Sequence, residues 1–256
     1  MIHGYLKGVP VAFFGRASTG KSILLFQEAC FIASQLKKNI LVIGTEGGED
    51  IFAKLWFPTL QKHFEIPTSI SYDILEGKTI ETILGWFGKK ISLEVSDKGK
   101  LDVRFLGKTK TVPIIDKIKK DNVGVVVVDS LTNPIRIGFS SGIMNFPARA
   151  DAECLLLDEF QRLSESGLIV LVSHHASMNP TNPYTRPTIT GGINIEHNFK
   201  IVLYFEMLQS NKATKRNLRK LWLVRYFTKA PWNENAYINI TNDGIVDITP
   251  EMVAEL

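Results

Sequence analysis

The sequence predicts an α/β domain with a mostly parallel central sheet flanked by helices, and three observations carry that prediction. Short β-branched runs alternate with helix-length segments through most of the chain, the pattern of parallel strands joined by crossover helices. Val125 to Val128 are four valines without polar alternation, as expected of a strand buried on both faces. From residue 199 the style changes to successive strands joined by polar loops. Asn242-Asp243-Gly244 is a hairpin signal there, so antiparallel strands are expected at the C-terminal end.

Taken in order, strands are predicted over 9–14, 39–45, 123–129 and 168–173, and helices over 20–36, 49–64 and 148–166. In the last helix Ala150, Cys154, Leu157 and Phe160 recur at helical spacing, and Ser166-Gly167 ends it. The closing strands fall at 200–208, 220–227, 236–241 and 245–248. Segment 89–110 is of a third kind. Ile91, Leu93 and Val95 alternate with polar residues, as do Leu101, Val103 and Phe105, with Asp97-Lys98-Gly99-Lys100 between them. This predicts a half-buried β-hairpin, near 91–106, inserted into an α/β unit.

Composition bounds the class. A chain of 256 residues that is 45% hydrophobic can bury one sizeable core, which fits a single domain over 1–256. Its longest apolar runs fall short of the roughly 18 residues of a membrane span. The opening MIHGYLKG shows no secretory leader, so a cytoplasmic protein without a membrane partner is expected. Cys30 and Cys154 both fall in predicted helices, which suggests small buried apolar residues in a reducing compartment, not a disulfide or a metal site. The net charge of +4 is mild, but it is local. Residues 89–110 hold seven cations against three acids, and 211–220 hold five cations and no acid. Each cluster reads equally as a solvated, lysine-protected hairpin and as a surface for nucleic acid.

The strongest chemical signal is Gly15-Arg16-Ala17-Ser18-Thr19-Gly20-Lys21-Ser22, which satisfies G-x-x-x-x-G-K-[ST] between a predicted strand and a predicted helix. Glycines let the backbone curl so that its N–H groups face phosphates, and the helix adds its positive end. Lys21 supplies a point charge for the β- and γ-phosphates, and the Ser22 hydroxyl is a hard oxygen ligand for Mg²⁺. The metal-ordering carboxylate is expected at the end of a hydrophobic strand, where VGVVVVDS places Asp129. For the group that orients or deprotonates water, Glu46 stands just past the second strand in Gly44-Thr45-Glu46-Gly47-Gly48-Glu49. Glu49 is its competitor, although it fits the first turn of the next helix, where a carboxylate complements the dipole. ATP and Mg²⁺ are the cofactors implied.

The order GRASTGKS, IGTEGG, VVVVDSLTNPIR resembles the RecA/RadA superfamily and its archaeal RadB-like paralogues, with KaiC-type ATPases as close relatives. LIVLVSHH, GGINIEH with KIVLYFEM, and ITNDGIVDI extend the likeness to about four-fifths of the chain. The resemblance implies a RecA-like P-loop NTPase core, with Lys21, Ser22 and Asp129 as phosphate and Mg²⁺ residues and Glu46 as the catalytic carboxylate. It places His175 at a sensor position that usually holds Gln. Three departures accompany it. No counterpart of the recombinases' separate amino-terminal domain is expected, which puts filament formation in doubt. Of a basic K-x-R in the penultimate strand only Arg225 matches, Phe227 standing at the arginine's place. The hairpin at 89–110 is an addition to the family core.

In the family, single-stranded DNA loops follow the Asp-bearing strand and the sensor strand, here 133–147 and 177–192. The first offers Arg136. The second reads as a loop unable to bury itself, with Tyr184 as a stacking ring and Arg186 as a phosphate-binding fork. An ordinary loop with an incidental ring and charge is the plain alternative. Three functions therefore compete: a recombinase paralogue that hydrolyses ATP and binds single-stranded DNA, with a RecA/RadA-type recombinase as a possible partner; a KaiC-like regulatory ATPase or autokinase acting on proteins; and a nucleotide-gated interaction subunit with little turnover. Oligomeric state stays open.

Overall fold

A computed structural model describes residues 8–95, 101–139, 146–177, 186–190, 198–208, 217–226 and 235–255. Its strands are β1 (Val11–Gly15), β2 (Asn39–Gly44), β3 (Tyr72–Glu76), β4 (Lys89–Val95), β5 (Leu101–Lys108), β6 (Val123–Asp129), β7 (Ile169–Ser177), β8 (Thr188–Ile189), β9 (Ile201–Met207), β10 (Leu218–Arg225), β11 (Asn235–Thr241) and β12 (Gly244–Ile248). Its helices are α1 (Lys21–Leu36), α2 (Glu49–His63), α3 (Ile80–Trp86), α4 (Pro113–Lys120), α5 (Thr132–Gly138), α6 (Phe146–Glu165) and α7 (Pro250–Glu255). No helix among the described residues is long and apolar enough to cross a membrane.

The main sheet runs β12-β11-β10-β9-β1-β7-β6-β2-β3, and β8 adds to β7. The pairs from β9 across to β3 are parallel, and those among β9, β10, β11 and β12 are antiparallel, as the sequence predicts. The valines of β6 explain the two-layer architecture. Val126 and Val128 pack into the core shared with α3, α4, α5 and α6, whereas Val125 and Val127 pack into the core beneath α1 and α2. The parallel strands that carry the site therefore end together along one edge, where loops have room for polar chemistry.

Several details differ from the sequence reading. The edge strand β3 and the short helices α3 and α4 add to the predicted set. In α6 the buried stripe is Ala148, Ala152, Leu156, Phe160 and Leu163, so Cys154 is exposed, and only Cys30 is the buried thiol expected. The stretch from 133 begins as helix, not loop, because α5 spans Thr132–Gly138. The stretch 177–192 contains β8, whose Ile189 is fully buried, so this part of the expected loop does bury itself. Arg219 lies inside β10, not in a solvated tip, and is buried.

The predicted hairpin is present as β4 and β5, a two-stranded sheet of its own. Ile91 is buried, and Leu93 and Val103 pack on the same core, but Phe105 remains 49% exposed. Lys89 is not part of a solvated cluster. Its ammonium meets Glu159 Oε1 of α6 at 2.6 Å, and both side chains are buried.

That pair generates a stability prediction. Glu159→Ala leaves the Lys89 charge buried without its partner and should cost about 3–5 kcal/mol. The double change Lys89→Met, Glu159→Leu should restore stability to near wild type. Urea unfolding of the three proteins checks this, and a single variant within 1 kcal/mol of wild type, roughly the worth of a surface pair, would refute it.

Candidate nucleotide site

β1 delivers the phosphate-binding motif. All five of its residues are buried, and its last, Gly15, lies so close to β9 that a Cβ there would stand 2.9 Å from Phe205 Cβ. The loop then curls through left-handed conformations at Ser18 (φ 59°) and Gly20 (φ 95°). Gly20 is the N-cap of α1, and no side chain caps that helix start. The arrangement points backbone donors and a positive helix end at one place, which suits an anion. Glycine is required at position 20 twice over, since a Cβ would also meet Ile240 Cδ1 at 2.4 Å.

The loop's carbonyls are engaged as well. Thr19 Oγ1 and Lys21 Nζ both donate to the Arg16 carbonyl, at 2.9 and 2.8 Å. Arg219 Nε donates to the Thr19 carbonyl at 2.9 Å. Lys21 is only 7% exposed. Burial lowers its pKa, and the nearby carboxylates of Asp129 and Glu46 act in the opposite direction.

Asp129 closes β6 beside the loop. Burial raises its pKa, hydrogen bonds from Ser173 and Ser22 lower it, and the Glu46 charge raises it again. The Asp129–Ser130 peptide bond is cis. Thr45 laces this turn to the end of β2: its N–H donates to the Asp129 carbonyl at 3.0 Å, its hydroxyl donates to the Ser130 carbonyl at 2.7 Å, and the Ser130 N–H donates back to that hydroxyl at 2.8 Å.

Glu46 follows Thr45 directly. Its Oε1 accepts from Ser130 Oγ at 2.7 Å and lies 3.1 Å from His175 Nε2. The bond from His175 holds the Glu46 pKa down, burial opposes it, and the Ser130 bond assists, giving about 2. Glu49 is buried in the first turn of α2, where its Oε1 accepts the Glu46 N–H at 2.7 Å. Of the two carboxylates, Glu46 lines the cavity and Glu49 supports it from behind.

The two histidines of β7 go separate ways because neighbouring strand residues face opposite sides of the sheet. His175 is aligned with Gly15, donates its N–H to Thr132 Oγ1 at 3.0 Å, and faces the site. His174 is 2% exposed and packs edge-on against Phe199. Burial lowers its pKa to about 3, and its Nε2 has no hydrogen-bond partner among the described residues.

Together these elements enclose a cavity of about 550 Å³. The motif residues Ala17 to Ser22, Glu46, Asp129, Ser130 and His175 line it, so the structure brings together the predicted phosphate, metal and catalytic candidates. Asn217, Arg219 and Ile240 also line it, with Ile23 and Phe52; the sequence marks Arg219 only as one of a basic cluster, and nothing in the pattern points it to this cavity. Arg136 on α5 and Arg186 before β8 are exposed and are not among the lining residues. Tyr184 lies outside the described residues.

No protein-family model matches the chain, and no curated protein is similar to it in sequence. Among solved structures, the crystal structure of the RadB recombinase is similar over 96% of this chain and 93% of that one, with a TM-score of 0.61 and 18% identity. The fold is that of a RecA-like core.

The buried histidine makes stability pH-dependent in a defined direction. In the unfolded chain His174 binds a proton below about pH 6.5, whereas in the fold it does so only near 3. The unfolded state therefore holds the extra proton between these values, and stability falls as pH drops through that window and is flat above it. Between pH 7.5 and 5 the wild type should lose about 2 kcal/mol more than His174→Leu. Denaturant titrations across that range decide it, and parallel pH profiles would show that His174 does not titrate this way.

Proposed function

We propose that the chain is a Mg²⁺-dependent, RecA-like ATPase that binds single-stranded DNA and assists recombination or repair as a cytoplasmic recombinase paralogue. The observation that carries this reading is the convergence of Lys21, Ser22, Asp129, Glu46 and His175 on one cavity at the ends of β1, β2, β6 and β7. The likeness to a recombinase structure supports it.

The residues fit a nucleoside triphosphate with its metal. Gly15 and Gly20 let the loop pack closely against Phe205 and Ile240, where a Cβ would clash, and the uncapped start of α1 lies at the cavity lined by Ala17 to Ser22. Ser22 and Asp129 supply two hard oxygens, the donor type Mg²⁺ takes alongside phosphate and water. The bound ion would supply charge neutralisation on the phosphates.

The remaining chemistry belongs to the chain. Lys21 exchanges its Arg16 carbonyl for phosphate oxygens, while Thr19 keeps that carbonyl satisfied. Glu46, held ionised at a pKa of about 2, orients the attacking water and takes its proton as the water grows acidic on bonding to phosphorus. His175 holds Glu46 in place through Nε2, so a γ-phosphate that draws the imidazole away changes both groups together. Arg136 and Arg186 come after the adjacent strands β6 and β7 in the chain and are exposed, which supports their reading as contacts for a nucleic-acid backbone.

Lys21→Ala should abolish ATP binding at concentrations that saturate wild type. Glu46→Gln should leave MgATP binding near normal and cut hydrolysis about 10²–10⁴-fold. The opposite outcome, in which Glu49→Gln does this and Glu46→Gln does not, would move the catalytic role to Glu49. Turnover measured with and without single-stranded DNA separates the competing functions. Stimulation supports the recombinase reading, DNA-independent turnover with phosphoprotein formation supports a KaiC-like autokinase, and binding without turnover supports a gated interaction subunit.

For the DNA contact, the double change Tyr184→Ala, Arg186→Ala should weaken binding to all sequences alike. It should also lower the salt dependence by about one phosphate contact. A salt titration in which the double variant matches wild type removes this segment from the interface.

A further inference from the structure

β10 and β11 are separated from β1 by β9, yet they reach the loop at two consecutive residues, β10 at Thr19 and β11 at Gly20. Arg219 donates Nε to the Thr19 carbonyl and Nη1 to the Leu218 carbonyl, both at 2.9 Å. Ile240, whose N–H donates to the Asn217 carbonyl at 3.0 Å beside the start of β10, leaves no space for a Cβ on Gly20. Arg219 is buried, and the little that it exposes lines the cavity beside Thr19.

A peptide unit is planar and trans, so its C=O and the next residue's N–H point in opposite directions. Fixing the Thr19 carbonyl against β10 thereby fixes the Gly20 N–H to point away from β10. The same logic applies one turn earlier, where Thr19 and Lys21 hold the Arg16 carbonyl and so orient the Ala17 N–H. Of these anchors, Lys21 leaves its carbonyl if it takes up phosphate. Arg219 is supplied from 200 residues away and needs no such change.

We propose that Arg219 is a positioning residue for the nucleotide: by holding the Thr19 carbonyl it sets the orientation of the Gly20 donor, so that strand β10 governs how tightly the loop grips phosphate. This rests on the reading of the cavity as a nucleoside triphosphate site. Because the effect passes through the shape of the loop and not through a contact with the terminal phosphate, it applies equally to ATP and ADP. The loop needs a partner at Thr19 whether or not ligand is bound, so the effect also shows in nucleotide-free protein.

The test uses the full chain with ATP and ADP as probes, together with amide hydrogen exchange of the nucleotide-free protein. Arg219→Ala should raise both dissociation constants by the same factor, about tenfold to a hundredfold, the range for a lost charge-assisted hydrogen bond. It should also speed exchange at Leu24, whose N–H donates to the Gly20 carbonyl at 3.1 Å, while β6 and β7 stay protected. Arg219→Lys, which returns a donor and a charge, should recover most of the affinity. If the alanine variant fails to fold, Arg219→Gln gives the same comparison, being too short to reach Thr19. Unchanged affinities, unchanged exchange at Leu24, or a loss confined to ATP would each overturn the proposal, the last by pointing to a γ-phosphate contact. Failure of the underlying reading looks different: wild type binds neither nucleotide, while Arg219→Ala still speeds exchange at Leu24. That result overturns the cavity's assignment and with it the role given to Arg219.

Discussion

A strand covered on both sides can offer neither face to water, and β6 meets this constraint with valines that alternate between two core layers. Any polar group on such a strand must sit at its end. Asp129 does, and the neighbouring strands share its boundary: Gly44 is aligned with Asp129, and Gly15 with His175. The register that buries Val125 to Val128 is therefore the register that brings the candidate carboxylates, the imidazole and the phosphate loop into one cavity. Since a slip by one residue would turn every valine to the opposite layer, packing in the core fixes the geometry of the chemistry above it.

At that shared edge the electrostatics are balanced by mutual contact. Lys21 is buried on the Arg16 carbonyl within the electrostatic reach of Asp129 and Glu46, and each group's burial opposes its charged form while its neighbours favour or disfavour it. Glu46 is kept ionised by His175 and Ser130, and Asp129 is pushed towards its neutral form by burial although Ser173 and Ser22 donate to it. Two carboxylates near one ammonium leave room for further positive charge, which is the electrostatic counterpart of the oxygen donors that suit a divalent ion. Hydroxyls from Thr45, Ser130, Thr132 and Ser173 join the ends of β2, β6 and β7, so the site is held by a network that no one loop provides.

Much of this was legible in the chain before its fold. The eight strands expected in the main sheet form with boundaries within a few residues, and GRASTGKS, Glu46 and Asp129 meet in space. What escaped had physical reasons. β3 is a half-exposed edge strand of five residues without a continuous apolar run. On α6 two apolar stripes compete, one through Ala150 and Cys154 and one through Ala152 and Leu156. Only the sheet beneath decides that the second turns inward. Arg219 sits in a run of cations that reads as solvated, and Lys89 in another; both are buried by partners distant in sequence, Thr19 and Glu159. Periodicity reports the face of an element but not its opposite number, so long-range polar partners are the features a linear reading loses.

The β4–β5 hairpin enters and leaves the domain at almost one point, because the Thr109 N–H donates to the Gly88 carbonyl at 2.7 Å. Beyond that root it makes a separate two-stranded sheet, pinned to the body by Ile91 and by Lys89 on Glu159. No strand of the main sheet changes neighbour or register on its account. Such an arm can change its length or charge beyond its foot without altering the strand pairing of the core beside it, whereas its removal would uncover the apolar surface that Ile91, Leu93 and Val103 cover.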